Sequence, residues 1–304
     1  MGLDLSVQIG PLKLKNPVMV ASGTASYGEE IARVYPLEKL GALVTKSITL
    51  KPRQGNPPYR VVETASGMLN SIGLQNVGVE EFCANKLPFL RTSKVTVVVN
   101  IAAKRIEDYA KLAARLGEEK GIAGLELNVS CPNVKEGGLE FGTNPRCIAE
   151  IVRGVRRETR LPIITKLSPN VTDIVSMAKA AMEGGSDAVS LVNTFLAMAV
   201  DIRRKKPVLA TVTGGLSGPA IKPVALRMIW QVYAALKCPI VGIGGIMTAD
   251  DAVQFMMAGA AAVQIGTASY VNPKAPLEIL VGLKQYAEEE KLEHLESCVG
   301  SLNV

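Results

Sequence analysis

The chain has 304 residues, 48% of them hydrophobic and 4% aromatic, with a formal net charge of +6. That much apolar material excludes an intrinsically disordered chain and suffices for one large α/β barrel or two small domains. So few aromatics exclude a stacking surface for single-stranded nucleic acid, and the positive excess is spread out as a solvated surface.

At the start of the chain, residues 3–9 and 12–14 flank Gly10-Pro11 and predict a small hairpin, placed to plug the bottom of a barrel. The first six residues also fit a loose myristoylation pattern, but they alternate as a strand and no second membrane signal accompanies them. No signal peptide or spanning segment is visible, so a cytoplasmic chain with no membrane partner is expected. Short apolar, β-rich runs then recur at 17–23, 42–48, 96–101, 124–130, 162–167, 188–194, 239–246 and 262–267. Helical patterns separate them at 30–40, 79–86, 106–120, 145–158, 171–183, 223–235, 249–258 and 276–290. Strands alternating with helices predict parallel βαβ units, and eight of them predict a (β/α)8 TIM barrel, read as one domain over 1–304. Three connections, 49–78, 132–144 and 195–222, are too long for plain barrel turns. All follow the C-terminal ends of strands, where loops shape a pocket or a partner surface. The third carries the basic cluster Arg203-Arg204-Lys205-Lys206, read as a solvated loop and a candidate partner contact.

The strand ends share a polar character. Ser22 ends the first, Lys46 and Ser47 the second, Asn100 the third, Asn128 the fourth, Lys166 the fifth, and Asn193 and Thr194 the sixth. Gly244-Gly245 and Gly266-Thr267 end the last two, where glycines let backbone N–H groups close on a phosphate. Asn100, Asn128 and Asn193 can read the edges of a planar heterocycle. Lys46 and Lys166 interrupt apolar runs, so they are expected to point inward or upward, where Lys166 could stabilise negative charge on a reduced ring. Asn70-Ser71-Ile72-Gly73-Leu74-Gln75-Asn76 is either an ordinary turn or a substrate clamp.

None of the five cysteines has metal-ligand spacing, so reduced thiols are expected, with no iron–sulfur, zinc or other metal site in this chain. His294 is the only histidine, expected on a solvent-facing helix in an acidic stretch, so proton chemistry would fall to Cys, Lys or a carboxylate. Cys131 follows the fourth strand, between Asn128 and Asn133 and beside Pro132. A lone cysteine at a turn is ordinarily a buried thiol, but this one stands where a barrel places chemistry.

Four stretches resemble the signatures of class 1 dihydroorotate dehydrogenases: Asn128-Val-Ser-Cys131-Pro-Asn-Val-Lys-Glu-Gly-Gly138, Met68-Leu-Asn70-Ser-Ile-Gly-Leu-Gln-Asn76, Lys166-Leu-Ser-Pro-Asn170 and Gly214-Gly-Leu-Ser-Gly-Pro-Ala-Ile-Lys-Pro223. The similarity runs from about residue 16 to residue 272. It implies an FMN enzyme of pyrimidine synthesis that oxidises dihydroorotate to orotate, with Cys131 as the base. Carried over, the flavin contacts fall on Ser22, Lys46, Ser47, Asn100, Asn128, Lys166, Val192, Gly218, Gly244, Gly245, Gly266 and Thr267. The substrate contacts fall on Lys46, Asn70, Ser71, Ile72, Gly73, Leu74, Asn128, Asn193 and Thr194. The loop after Cys131, Gly242-Ile243-Gly244 and the Asn193-Thr194 pair look like the NAD-linked B type. That type implies a partner subunit carrying FAD and an iron–sulfur cluster, in a heterotetramer of two of each. The alternatives are the fumarate-using A type, a related flavin barrel acting on pyrimidines, a flavin-free phosphate-binding barrel and a non-catalytic flavin relay. Neither Cys131 nor the loop at Asn70 is needed for the last.

Overall fold

The computed structural model describes residues 3–129 and 141–303. Val7–Ile9 (β1) pairs antiparallel with Leu12–Leu14 (β2), and both strands alternate buried and exposed residues. The barrel begins with Val18–Val20 (β3) and Ala42–Val44 (β4). A hairpin of Val61–Thr64 (β5) and Gly67–Asn70 (β6) interrupts the series. It resumes with Val97–Ile101 (β7), Gly124–Asn128 (β8), Ile163–Lys166 (β9) and Ala188–Leu191 (β10). An excursion holds Phe195–Ala197 (β11), Val200–Asp201 (β12), Lys206–Pro207 (β13) and Gly214–Ser217 (β14). Ile240–Ile243 (β15) and Ala262–Ile265 (β16) complete the barrel, which closes through parallel pairing of β16 with β3. Each barrel strand lies within one of the eight predicted runs, so the (β/α)8 TIM barrel with an N-terminal hairpin stands.

Six predicted helices are found to within three residues: Ile106–Gly117, Pro145–Glu158, Ile174–Glu183, Lys222–Leu236, Ala249–Met257 and Ala275–Glu289. Two segments differ. The helix predicted over 30–40 is a short helix, Glu29–Ala32, and a separate 3-10 turn, Leu37–Lys39. Pro36 stands between them; it has no N–H to give and turns the residue before it away from helical angles. The helix predicted over 79–86 runs on instead, from Val79–Glu81 through a wide turn at Phe82–Lys86 into Leu87–Thr92. His294 is also corrected: it is exposed, but it lies beyond the last long helix and bridges to Asp4. No helix of the described residues is long and apolar enough to cross a membrane.

The two faces of the strands divide the core. On β7, Val97, Val99 and Ile101 belong to the cluster under the helices, whereas Val98 belongs to the cluster inside the barrel. The inner cluster joins Met19, Val44, Ile164, Ala188, Val241 and Ala262 to Val7, Ile9, Leu12 and Leu14 of the hairpin. The hairpin is therefore the plug of the barrel's lower end. Two residues further along, the inward positions turn polar: Asn100, Glu126, Lys166, Ser190 and Gln264 are all buried. Alternation with a period of two thus carries the interior from an apolar plug to a polar floor.

Two of the long connections meet. β6 pairs antiparallel with β14, Asn70 opposite Gly215, giving a four-stranded sheet in the order β11-β14-β6-β5. Arg203, Arg204 and Lys205 are exposed in the turn between β12 and β13, where Asp201 accepts from the backbone N–H groups of Arg203 and Arg204. Most of 132–144 lies outside the described residues; at its end Asn144 caps the helix Pro145–Glu158, accepting from the Arg146 N–H at 2.9 Å.

Candidate functional site

A cleft opens at the C-terminal ends of the barrel strands, with about 1400 Å³ of space counting its mouth. Its wall collects residues the sequence scatters from Ser22 to Thr267. Ser22, Lys46, Ser47, Asn128, Lys166, Val192, Gly218, Gly244, Gly245, Gly266 and Thr267 all line it, as do Asn70, Ile72, Gly73, Leu74, Asn193 and Thr194. Two predicted residues do not. Asn100 and Ser71 are fully buried, Asn100 in the polar floor and Ser71 behind the loop. Cys131 lies outside the described residues; β8 leads to it through Asn128 and Val129.

At one end of the cleft, glycines bring backbone close to backbone. Gly244 and Gly245 take φ of +123° and +80°, and a Cβ on Gly245 would lie 2.9 Å from the Gly218 carbonyl oxygen. Gly266 is open in front: a Cβ there would meet only the Ala21 Cβ, at 3.6 Å. Thr267 donates to the Ser217 hydroxyl at 2.8 Å, tying β14 to the end of β16. The short helix Ala268–Val271 starts directly after. Loops after strands seven and eight, with a short extra helix behind them, form the usual phosphate site of this fold. These residues therefore fit a phosphorylated cofactor.

The other end is amide-rich. Asn193 Nδ2 donates to Asn128 Oδ1 at 3.3 Å, and the Tyr109 hydroxyl holds the Asn128 carbonyl at 2.8 Å. Asn170 fixes the next turn, donating to the Thr194 carbonyl at 3.1 Å and accepting from the Leu196 N–H at 2.9 Å. The loop from Asn70 is pinned by Asn76, which donates to the Leu74 carbonyl and the Thr49 hydroxyl, both at 2.8 Å. Gly73, at φ +76°, has no room for a side chain, because a Cβ would lie 2.7 Å from the Asn56 backbone nitrogen. The loop is thus a rigid wall.

Two ammonium groups serve the cleft. Lys166 Nζ lies 3.5 Å from Ser22 Oγ and 3.9 Å from Glu126 Oε2. Burial, with the Arg60 guanidinium nearby, holds the Lys46 ammonium below the ordinary lysine range, against the pull of Glu30. A partly desolvated cation facing a cleft is a strong anion contact. The described cysteines keep their protons at neutral pH: burial pushes the Cys83 and Cys238 thiols to about 11, and it raises Cys147 and Cys298.

Sequence reasoning missed Gln264, Gly215, Ser217, Met247 and Tyr270, which also line the cleft, and Glu126 beneath it. Gln264 and Glu126 were open to the rule that picked out Lys46 and Lys166, a polar residue interrupting an apolar strand. Gly215 and Ser217 arrive through a sheet that no local pattern announces.

The profile of the dihydroorotate dehydrogenase family matches residues 4–286. Among similar proteins, one from Geotalea daltonii is 54% identical over 301 residues, covering 99% of both chains. One from Pelobacter propionicus is 55% identical and one from Trichlorobacter lovleyi 56% identical, each covering 98% of both chains. All three are named dihydroorotate dehydrogenase B (NAD(+)), catalytic subunit.

Proposed function

The chain belongs to the dihydroorotate dehydrogenase family, and from that premise we propose that it oxidises dihydroorotate to orotate in pyrimidine synthesis, as the FMN-holding catalytic chain of an NAD-linked enzyme. The observation that carries this reading is the convergence of a phosphate cradle and an amide-rich anion site in one cleft.

The glycine cradle at Gly218, Gly244, Gly245 and Gly266, with Thr267, holds the FMN phosphate. Ser22, Ser47, Asn128 and Val192 line the path of the ring, with Asn100 beneath it. Bound there, FMN would supply the hydride acceptor for C6 of dihydroorotate. Lys166 presents its ammonium where negative charge gathers on reduction. Lys46 holds the substrate carboxylate, while Asn128, Asn193, Thr194 and the wall from Asn70 to Leu74 orient the substrate ring. Cys131 takes the proton from C5, so loss of that proton and of the C6 hydride leaves a C5–C6 double bond. Support for Cys131 comes from its place two residues past the buried Val129 and from the unsuitable surroundings of the four described thiols.

The electrons go on to NAD through a partner subunit that carries FAD and an iron–sulfur cluster, in a heterotetramer of two of each. The relatives' name, catalytic subunit, supports a partner, and the five cysteines in this sequence lack the spacing of such a centre. The excursion around β11–β13 exposes Leu196, Met198, Val200 and Ile202, the last at 83%, beside Arg203–Lys206, a surface suited to another chain. The test is stopped-flow reoxidation of the reduced chain. Slow reoxidation by NAD alone and fast reoxidation once the partner is added is the expected result. Fast reoxidation by fumarate would make this an A-type enzyme, and fast reoxidation by NAD without a partner would defeat the two-subunit reading.

A further inference from the structure

Glu126 is fully buried on β8, facing the barrel axis beneath the cleft. Three neutral donors from three other strands converge on it. Ser190 Oγ and Gln264 Nε2 donate to Oε1 at 2.9 and 2.6 Å, and Asn100 Nδ2 donates to Oε2 at 2.6 Å. Lys166 Nζ stands 3.9 Å from Oε2 as its counter-charge. A buried carboxylate needs such company, since an uncompensated charge there is strongly destabilising.

The network has a directional consequence. A carboxylate only accepts, so it draws the NH2 ends of Asn100 and Gln264 toward itself. Each amide oxygen must then face away. Asn100 Oδ1 and Gln264 Oε1 are indeed buried without a hydrogen-bond partner among the described residues. Gln264 is 1% exposed and lines the cleft. Buried acceptors left unmatched are costly and rare, so a pair of them under a ligand cleft points to a donor on the ligand.

We propose that Glu126 is a positioning residue: it fixes the orientation of the Gln264 and Asn100 amides so that their oxygens accept a ring N–H of the bound cofactor. The inference rests on the FMN reading above. Oxidised flavin has a single ring N–H, at N3, so the assignment is specific. Lys166 is held by the same carboxylate, which couples the amide acceptors and the ammonium in one preorganised floor.

The experiment is 1H–15N correlation NMR of the chain loaded with FMN labelled with 15N at N3, alongside FMN titrations. In the wild type, the N3 proton is expected to give a cross-peak and to exchange with solvent far more slowly than in free FMN. In Glu126→Gln, the new side chain both donates and accepts, so the neighbouring amides are free to turn over. The cross-peak is expected to move and its exchange to speed up, with FMN binding weakened on the order of tenfold. Gln264→Met is expected to do the same; if only Glu126→Gln moves the signal, Asn100 is the acceptor and the role of Glu126 stands. A wild-type N3 proton exchanging as fast as in free FMN, or a cross-peak that neither variant moves, overturns the inference while leaving the FMN reading intact. A wild-type chain that takes up no FMN overturns both.

Discussion

In the proposed mechanism Cys131 is the base, a role that would separate cleanly from cofactor binding. A thiol that only takes a proton is not needed to hold the cofactor, so Cys131→Ala is expected to keep its flavin and lose about 10²–10⁴ in the rate of flavin reduction. Near-normal reduction of that variant in a rapid-mixing experiment would return Cys131 to an ordinary thiol. Lys46 makes a second prediction at this scale. Burial and then Arg60 lower its pKa from 10.5, so its charge is lost as pH rises through that lowered value, earlier than for an ordinary lysine. Orotate affinity should therefore fall with a midpoint below 10.5, a step that Lys46→Met lacks while binding more weakly throughout. A step of the same size in Lys46→Met would assign the titration elsewhere. Both lysines were legible in the sequence because an ammonium inside an apolar strand must face a polar site. Glu126 carried the same signal within its strand, but a lone carboxylate does not announce the four partners that the barrel's curvature brings to it.

Among the elements, the barrel strands were legible because each is a short apolar run punctuated by a polar end. The sheet at the cleft's rim was not, because β6 and β14 are four residues each and pair Asn70 with Gly215 across 145 residues of chain. Local patterning has no access to such a pairing, although Asn70 was identified through its motif. The broken helix after Glu29 was misjudged by overlooking Pro36 inside its pattern. The glycine cradle gives a prediction at this scale. At Gly266, which lines the cleft, a methyl group would touch only the Ala21 Cβ, at an ordinary 3.6 Å. Gly266→Ala should change folding stability by less than about 1 kcal/mol, yet weaken FMN binding on the order of tenfold by keeping the phosphate from the backbone. An unaltered FMN affinity, measured by fluorescence titration, would place the phosphate elsewhere.

Across the whole molecule, stability and function sit at opposite ends of one barrel. The hairpin β1–β2 closes the lower end with apolar side chains, and the cleft occupies the upper end above the floor around Glu126. Leu14 is completely buried in the plug. Leu14→Ala should cost about 2–5 kcal/mol of stability, read as a lower midpoint in denaturant unfolding, while FMN affinity at low temperature stays unchanged. A loss of FMN affinity in the folded variant would show that the two ends are coupled. The division also explains why the fold was so fully legible and the site only partly so. The fold follows from a repeated apolar rhythm, whereas the site depends on where eight strands put their ends. Dihydroorotate oxidation at a flavin in this cleft is tested by an anaerobic titration of the FMN-loaded chain with dihydroorotate. The flavin absorbance should bleach in proportion to the dihydroorotate added, with one orotate formed for each flavin reduced. An FMN-loaded chain whose spectrum dihydroorotate leaves unchanged would mean that this cleft does not oxidise dihydroorotate.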